Sequence, residues 1–337
     1  MINQVYQLIT PKTISVKYTD IGFHDKVIVR PEYLALCHAD QRYFLGRRNA
    51  KTLREKLPMA LVHECSGRVI YDPKGVWKPG QSVVLIPNHP VCEDPVVAEN
   101  YRSGSYFLSS GHDGFMQELV EIDRDRVLPF DRIDPVIAAI TEFVSVGVHA
   151  ISRFDSIAHV RRTCIGIWGD GSLAYIVANL LHIRYPQCKL VVIGHGKKKL
   201  SHFSFVDHTY LSSEIPDDLQ IDHAFECCGG EGSRQAIEDV IRYINPQGTL
   251  VLMGVSENQV AINTRMVLEK GLTLVGCSRS GKADFEQALI HLQNPELQDR
   301  LRVIIFEDAP VRSIKDIYRA FETDLTSPFK TVFRWDI

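Results

Sequence analysis

RTCIGIWGDGSLAYIVANLL, residues 162–181, joins a short apolar run to a longer helical one through a pair of glycines. The run from Cys164 to Trp168 has strand length, and from Ser172 onward apolar residues recur at helical spacing. Between them Gly169, Gly171 and Ala174 stand at G-x-G-x-x-A spacing. In a strand-turn-helix context this pattern suits a dinucleotide. The glycines let the backbone approach a pyrophosphate, and the helix N-terminus offers free N–H donors and positive potential. Gly169, Gly171, Ser172, Leu173 and Ala174 are therefore candidate cofactor-binding residues; the plain alternative is a tight turn without a ligand.

The next apolar run, KLVVIGHGKKK from Lys189, is informative through what it lacks. A site for NAD usually carries Asp or Glu at the end of this strand to bond the ribose hydroxyls. Here stand Gly194, His195 and Gly196, followed by Lys197, Lys198 and Lys199, with no carboxylate to repel a 2′-phosphate. NADP(H) is the expected cofactor, with His195, Lys197 and Lys198 near its phosphate, unless the lysines are only a solvated helix start.

Further along, DHAFECCGG, GTLVLMGV and LTLVGCS alternate with helical segments, which predicts an α/β doubly wound parallel sheet. The first part of the chain reads differently. KVIVRPEYLALC, CSGRVIYD and GQSVVLIP have the β-branched runs and Gly/Pro punctuation of an all-β region. Residues 136–154, VIAAITEFVSVGVHAISRF, read as one long helix leading out of it. After Gly281 come two helical stretches and the strand-like KTVFRWDI, which suits a return to the first region.

At 337 residues the chain has length for two domains. Its net charge of −3 gives no general field for nucleic acid or anionic lipid, so an anionic ligand needs a local cationic cluster. The N-terminus lacks a signal-peptide pattern and no segment reaches membrane-spanning length, so a cytoplasmic protein without membrane or nucleic-acid partners is expected. Eight cysteines, dispersed apart from Cys227 and Cys228, argue against a disulfide framework. Cys164, Cys188 and Cys277 are expected in cores.

Cys37-His38-Ala39-Asp40 follows a predicted strand, and His63-Glu64 follows LPMALV. A thiolate, an imidazole and carboxylates are the donors that catalytic zinc takes, commonly three from protein with a fourth position open. Such spacing alone leaves packed, metal-free residues as an alternative.

The ordered set of motifs resembles the medium-chain, zinc-dependent alcohol and polyol dehydrogenases over nearly the whole chain. Cys37 and Asp40 fit the family's Cys-Gly-Ser/Thr-Asp, Val62 to Glu64 its Gly-His-Glu, and TEFVSVGVHA from Thr141 its Glu-Pro-Leu-Ser-Val-x-x-His-Ala. FECCGG and GTLVLMGV resemble its cofactor-domain strands. The resemblance implies a mainly β, GroES-like catalytic domain at 1–144 and 281–337 and a Rossmann domain at 145–280. It implies Cys37, His63 and Glu142 as zinc ligands, with Glu64 as an occasional fourth ligand or partner of the metal's water.

Three departures stand out. Ala39 replaces the usual Ser or Thr, removing the hydroxyl proton relay and leaving Glu64 or zinc-bound water for that role. Between Asn88 and Asp113 only Cys92 stands where relatives carry four cysteines, which predicts one catalytic zinc and no structural zinc. Val62 replaces the Gly before the histidine, restricting the backbone there.

Within the family, CHADQRYFLG, KLPMALVHE and EFVSVGVHA are most similar to the bacterial ribitol-5-phosphate 2-dehydrogenase branch. That implies NADPH-dependent, reversible reduction of D-ribulose 5-phosphate to D-ribitol 5-phosphate, feeding CDP-ribitol to teichoic acid or capsule synthesis. A homo-oligomer (dimer or tetramer) and a cytidylyltransferase partner are implied as well. For the substrate phosphate, Arg42, Arg47, Arg48 and Arg279 are candidates, because a guanidinium fork can bond two phosphate oxygens. Competing readings are an NADP-linked dehydrogenase of another alcohol or polyol, a zinc-free relative of the quinone-reductase type, and a non-enzymatic nucleotide-binding homologue.

Overall fold

Six strands form one wholly parallel sheet in the order His208–Leu211, Lys189–Gly194, Cys164–Trp168, Ile221–Glu226, Ile244–Leu252 and Thr273–Gly276. This is the doubly wound order, in which the connections reverse direction beside Cys164–Trp168. The helices Ser172–Arg184 and Gly232–Tyr243 supply two of the crossovers. Ser172–Arg184 is buried without interruption from Ala174 to Leu181, which explains its apolar sequence on every face. Trp168, Val191, Ile193, Ala224, Val240 and Leu250 fill part of this core.

The computed structural model describes residues 1–337, and the chain divides into two units, Met1–Ser145 with Ser280–Ile337, and Val146–Arg279. The first unit is built on a seven-stranded sheet running Val127–Pro129, Ser82–Leu85, Glu64–Tyr71, Val27–Ala35, Lys330–Trp335 and Ile305–Val311, with Val120–Ile122 paired to Val27–Ala35. A smaller sheet joins Thr13–Asp20, Ile2–Thr10 and Met59–Ala60. Lys330–Trp335 lies antiparallel to Val27–Ala35 and parallel to Ile305–Val311, so a late strand sits inside the sheet that began near the chain's start. Val29, Leu34, Leu61, Phe115, Phe321 and Phe333 pack into the core beneath it. The α/β class predicted from the motifs, a doubly wound sheet with a mainly β unit beside it in sequence, is the class observed.

Several local details differ from the sequence reading. The stretch 136–154 is two helices, Pro135–Ala138 and Thr141–Ile157, and the first begins with Asp134 accepting the Val136 N–H. Two seven-residue helices, His38–Phe44 and Ala50–Lys56, interrupt the region read as strands and loops. Each is too short to display a full amphipathic repeat. All eight cysteines are free; Cys188 and Cys277 are buried, but Cys164 is only partly so, because it opens its strand at the sheet's edge of the core. No helix is long and apolar enough to cross a membrane.

Around Cys92, which is exposed, the chain forms the small pair Asn88–His89 and Tyr106–Phe107. Arg102 gathers this segment by donating to the carbonyls of Cys92, Asp94 and Val97 at 2.8–2.9 Å. A guanidinium thus ties together backbone that has no covalent cross-link.

Candidate active site

Asp40 organises the approach of two distant segments. Cys37 ends the crossover from the strand Val27–Ala35 and caps the helix His38–Phe44. The Asp40 carboxylate accepts the Cys37 N–H at 3.0 Å, the Val62 N–H at 3.0 Å and the Ser109 hydroxyl at 2.8 Å. Its Oδ1 also lies 3.6 Å from His63 Nδ1. Asp40 is fully buried, and although burial works to raise its pKa, His63 and these donors hold it below the usual carboxylate value. One side chain therefore holds Cys37, Val62 just before His63, and the orientation of the imidazole.

The Sγ of Cys37, a ring nitrogen of His63 and a carboxylate oxygen of Glu64 lie within 4.8 Å of one another. Glu142, in the first turn of Thr141–Ile157, places Oε2 at 3.9 Å from His63 Nε2. That trio contains Glu64, and Glu142 approaches from the imidazole side. Glu64 Oε2 is buried without a hydrogen-bond partner, whereas Oε1 accepts from Lys330 Nζ. Burial pushes the Glu64 carboxyl up to about 7, against the pull of Lys330 and with the repulsion of Glu142. Against its burial, His63 is held well above its ordinary value by Asp40. A thiol, an imidazole and two carboxylates, one with an orphaned oxygen, make a pocket that favours positive charge, and these residues fit a zinc ion.

Val62 adopts φ 70°, a left-handed backbone that is costly for a β-branched residue. It is held there by the Asp40 bond to its N–H and by the Phe115 N–H donating to its carbonyl at 2.7 Å. The restriction expected from replacing glycine is present as local strain, adjacent to His63.

Lys330 was not a candidate from sequence. It stands 266 residues from Glu64, at the start of an ordinary-looking strand, and no spacing connects them. Ser109 escaped for the same reason.

Three of the arginine candidates lie around His38, the residue after Cys37. Arg42 lies on the helix that Cys37 caps, the Arg47 N–H donates to the Arg42 carbonyl, and the Arg48 guanidinium lies 4.9 Å from the Tyr43 ring centre. Burial and the neighbouring Arg48 lower the Arg42 pKa. Burial lowers His38 too, with Arg42, Arg47 and Arg48 acting in the same direction against Asp324. This mutual repulsion marks a cationic patch. Arg279 belongs to the other unit, where it closes the segment with φ 60°.

In the second unit Gly169 has φ +132°, and a Cβ there would lie 3.1 Å from the Cys227 backbone. A Cβ on Gly171 would enter open space, so the turn leaves the room that a pyrophosphate requires. Ser172, Leu173 and Ala174 open the following helix. His195 Nδ1 and the Ser212 hydroxyl are 2.8 Å apart, and Lys197 and Lys198 begin the short helix Lys197–Leu200. One expectation needs correction. A carboxylate does stand at the end of Lys189–Gly194, delivered from the glycine turn: Asp170 Oδ2 accepts the N–H groups of His195 at 2.9 Å and Gly196 at 2.7 Å. The strand's own sequence carried no sign of it, because the group crosses from a neighbouring strand.

Residues 24–132 match the alcohol dehydrogenase GroES-like domain and residues 204–294 the zinc-binding dehydrogenase domain. The chain is 53% identical over 340 residues to the ribulose-5-phosphate reductase of Streptococcus pneumoniae, covering all of this chain and 98% of that protein. It is 49% identical to ribulose-5-phosphate reductase 2 of Staphylococcus aureus, with complete coverage of both. The solved structure of S. aureus TarJ in complex with NADPH superposes with a TM-score of 0.88 at 45% identity, again over 100% of both chains. L-idonate 5-dehydrogenase of Escherichia coli, at 19% identity and a TM-score of 0.86 over 99% of both chains, shares the fold. The chain belongs to the zinc-binding, medium-chain alcohol dehydrogenase family, in the branch of the bacterial ribulose-5-phosphate reductases.

Proposed function

We propose that this protein reduces D-ribulose 5-phosphate to D-ribitol 5-phosphate with NADPH, reversibly, at one zinc ion. The observation that carries the reading is the convergence of Cys37, His63 and Glu64 within 4.8 Å in a chain 53% identical, end to end, to a ribulose-5-phosphate reductase. The unit containing those donors takes the catalytic role, and Val146–Arg279 takes the dinucleotide.

Cys37, His63 and Glu142 would hold the metal, with Glu64 as a fourth ligand or as partner of its water. When bound, zinc supplies Lewis-acid polarisation of the C2 carbonyl and NADPH supplies the hydride. The chain's own contribution is placement. Asp40 holds the His63 imidazole and the Cys37 backbone, and Lys330 balances the Glu64 charge. Arg42, Arg47 and Arg48 offer the anchor for the 5-phosphate, which orients C2. With Ala39 lacking a hydroxyl, delivery of the proton to the product oxygen falls to Glu64 or to zinc-bound water. Gly169 and Gly171 open the turn for the pyrophosphate, and His195, Lys197 and Lys198 receive the 2′-phosphate.

Downstream use of the product as CDP-ribitol for teichoic acid or capsule, a cytidylyltransferase partner, a dimeric or tetrameric state and a cytoplasmic location complete the proposal, on the strength of the family branch. The test is the initial rate of NADPH and NADH oxidation with D-ribulose 5-phosphate, before and after chelation, with zinc measured per chain. Chelator-sensitive turnover with NADPH and about one zinc supports the reading. Turnover of unphosphorylated ribulose equal to that of the phosphate would overturn the substrate assignment.

A further inference from the structure

Asp170 is the residue between the two glycines of the dinucleotide turn, yet its side chain is spent on another segment. Its Oδ2 accepts two consecutive backbone N–H groups, those of His195 and Gly196, at 2.9 and 2.7 Å. The next three residues are Lys197, Lys198 and Lys199. A Cβ on Gly194 would lie 2.6 Å from Asp170 Cβ and 2.9 Å from its Oδ2, so the carboxylate occupies the space that a side chain at 194 would need. Gly194 and Asp170 are therefore a matched pair: the absence of one side chain makes room for the other. The far side of the segment is fixed as well, because the Ser212 N–H donates to the Gly194 carbonyl at 2.8 Å and the Ser212 hydroxyl meets His195 Nδ1.

We propose that Asp170 is a positioning residue for cofactor choice: it clamps residues 194–196 so that the lysine run is presented in one place to the 2′-phosphate of NADP(H). The inference rests on the NADP(H) reading above. NADH has no group for those lysines, so ordering them in advance favours NADPH selectively. Two effects of the carboxylate oppose each other. The clamp lowers the ordering cost of the segment, whereas the negative charge disfavours a nearby phosphate. The charge already faces two aligned N–H donors, which compensate part of it locally, so the clamp is the larger effect. An asparagine separates the two, since its Oδ1 can accept the same N–H groups without the charge.

The experiment is fluorescence titration of NADPH and NADH into the full-length, zinc-loaded protein and its variants, with thermal melting to verify folding. Asp170→Ala is expected to weaken NADPH about ten-fold while changing NADH less than about three-fold, the size of effect that ordering two or three long side chains produces. Asp170→Asn is expected to bind NADPH as tightly as the wild type or more tightly. Gly194→Ala, which displaces Asp170 without altering its charge, should repeat the selective loss and keeps the idea testable if Asp170→Ala folds poorly. Equal weakening of both nucleotides, or NADPH affinity unchanged in both Asp170→Ala and Gly194→Ala, would overturn the clamp. Failure of Asp170→Asn to rescue would also overturn it, by assigning the effect to charge. A wild type that binds NADH as tightly as NADPH removes the cofactor reading itself, a result visible before any variant is compared.

Discussion

Lys330 donates to Glu64 with both side chains buried, and the Lys330 ammonium lies 4.4 Å from the centre of the Phe143 ring. Burial works to lower the Lys330 pKa, but Glu64 and then Cys37 outweigh it, so the ammonium stays charged. The pair holds a counter-charge beside the donor cluster, where the carboxylates of Glu64 and Glu142 would otherwise repel. Removing one partner strands the other. Lys330→Met is expected to lose about 3–5 kcal/mol of unfolding free energy, the usual cost of leaving a buried charge unpaired. Adding Glu64→Gln to it should recover a large part of the loss in denaturant unfolding. A single variant within about 1 kcal/mol of the wild type would show the pair to be energetically idle.

Gly114 is required for a different reason. Its N–H donates to the Ala60 carbonyl at 2.8 Å, and a Cβ on it would lie 2.4 Å from the Val62 oxygen and 2.6 Å from the Leu61 oxygen. Neither obstacle is a flexible side chain, and Val62 is already in a strained conformation next to His63. Gly114→Ala is predicted to cost about 3 kcal/mol or more and to lower zinc occupancy as the His63 segment shifts. A melting temperature and zinc content equal to those of the wild type would refute this.

The parallel sheet was legible because each strand is a short apolar run and each turn carries its own punctuation, most clearly Cys164–Trp168 followed by Gly169 and Gly171. Cys37, His63 and Glu64 were legible as donor types in motifs, though not the closeness with which the three meet. What sequence could not express were relations between side chains on separate strands. Lys330 reaches Glu64 because Lys330–Trp335 and Glu64–Tyr71 flank the same strand, Val27–Ala35. Asp170 reaches His195 because Cys164–Trp168 and Lys189–Gly194 are neighbours and Gly194 lacks a side chain. The break near Ala139 was hidden because buried apolar residues, Ile137 to Ile140, run through it without a Gly or Pro to mark it.

Asp40 predicts how the metal depends on residues that do not touch it. Asp40→Asn keeps the size of the side chain and an acceptor for the Cys37 or Val62 N–H, but removes the negative charge 3.6 Å from His63 Nδ1. Loss of such a supporting carboxylate typically weakens metal binding about 10–100-fold. Competition with a chelator of known affinity measures this directly. Zinc affinity matching the wild type would mean that the Asp40 backbone bonds alone set the geometry.

His223 predicts a pH dependence of stability that belongs to the nucleotide unit. Its Nε2 lies 3.0 Å from the Arg161 carbonyl and 3.2 Å from that of His159, while Nδ1 lies 3.1 Å from the Thr249 nitrogen. Thr249 donates its N–H, so Nδ1 must be the acceptor and the ring is neutral in the folded protein. Burial, and then the neighbouring His159, depress its pKa from 6.5 to about 4. Above pH 6.5 the ring is neutral in both folded and unfolded chains and costs nothing. As pH falls from 6.5 towards 4 the unfolded chain takes up the proton first, so stability declines across that window and this contribution levels off below it. Melting temperatures recorded between pH 7.5 and 4 should show the decline, and His223→Gln should flatten that part of the curve relative to the wild type. Identical slopes in the two proteins would place the proton uptake elsewhere.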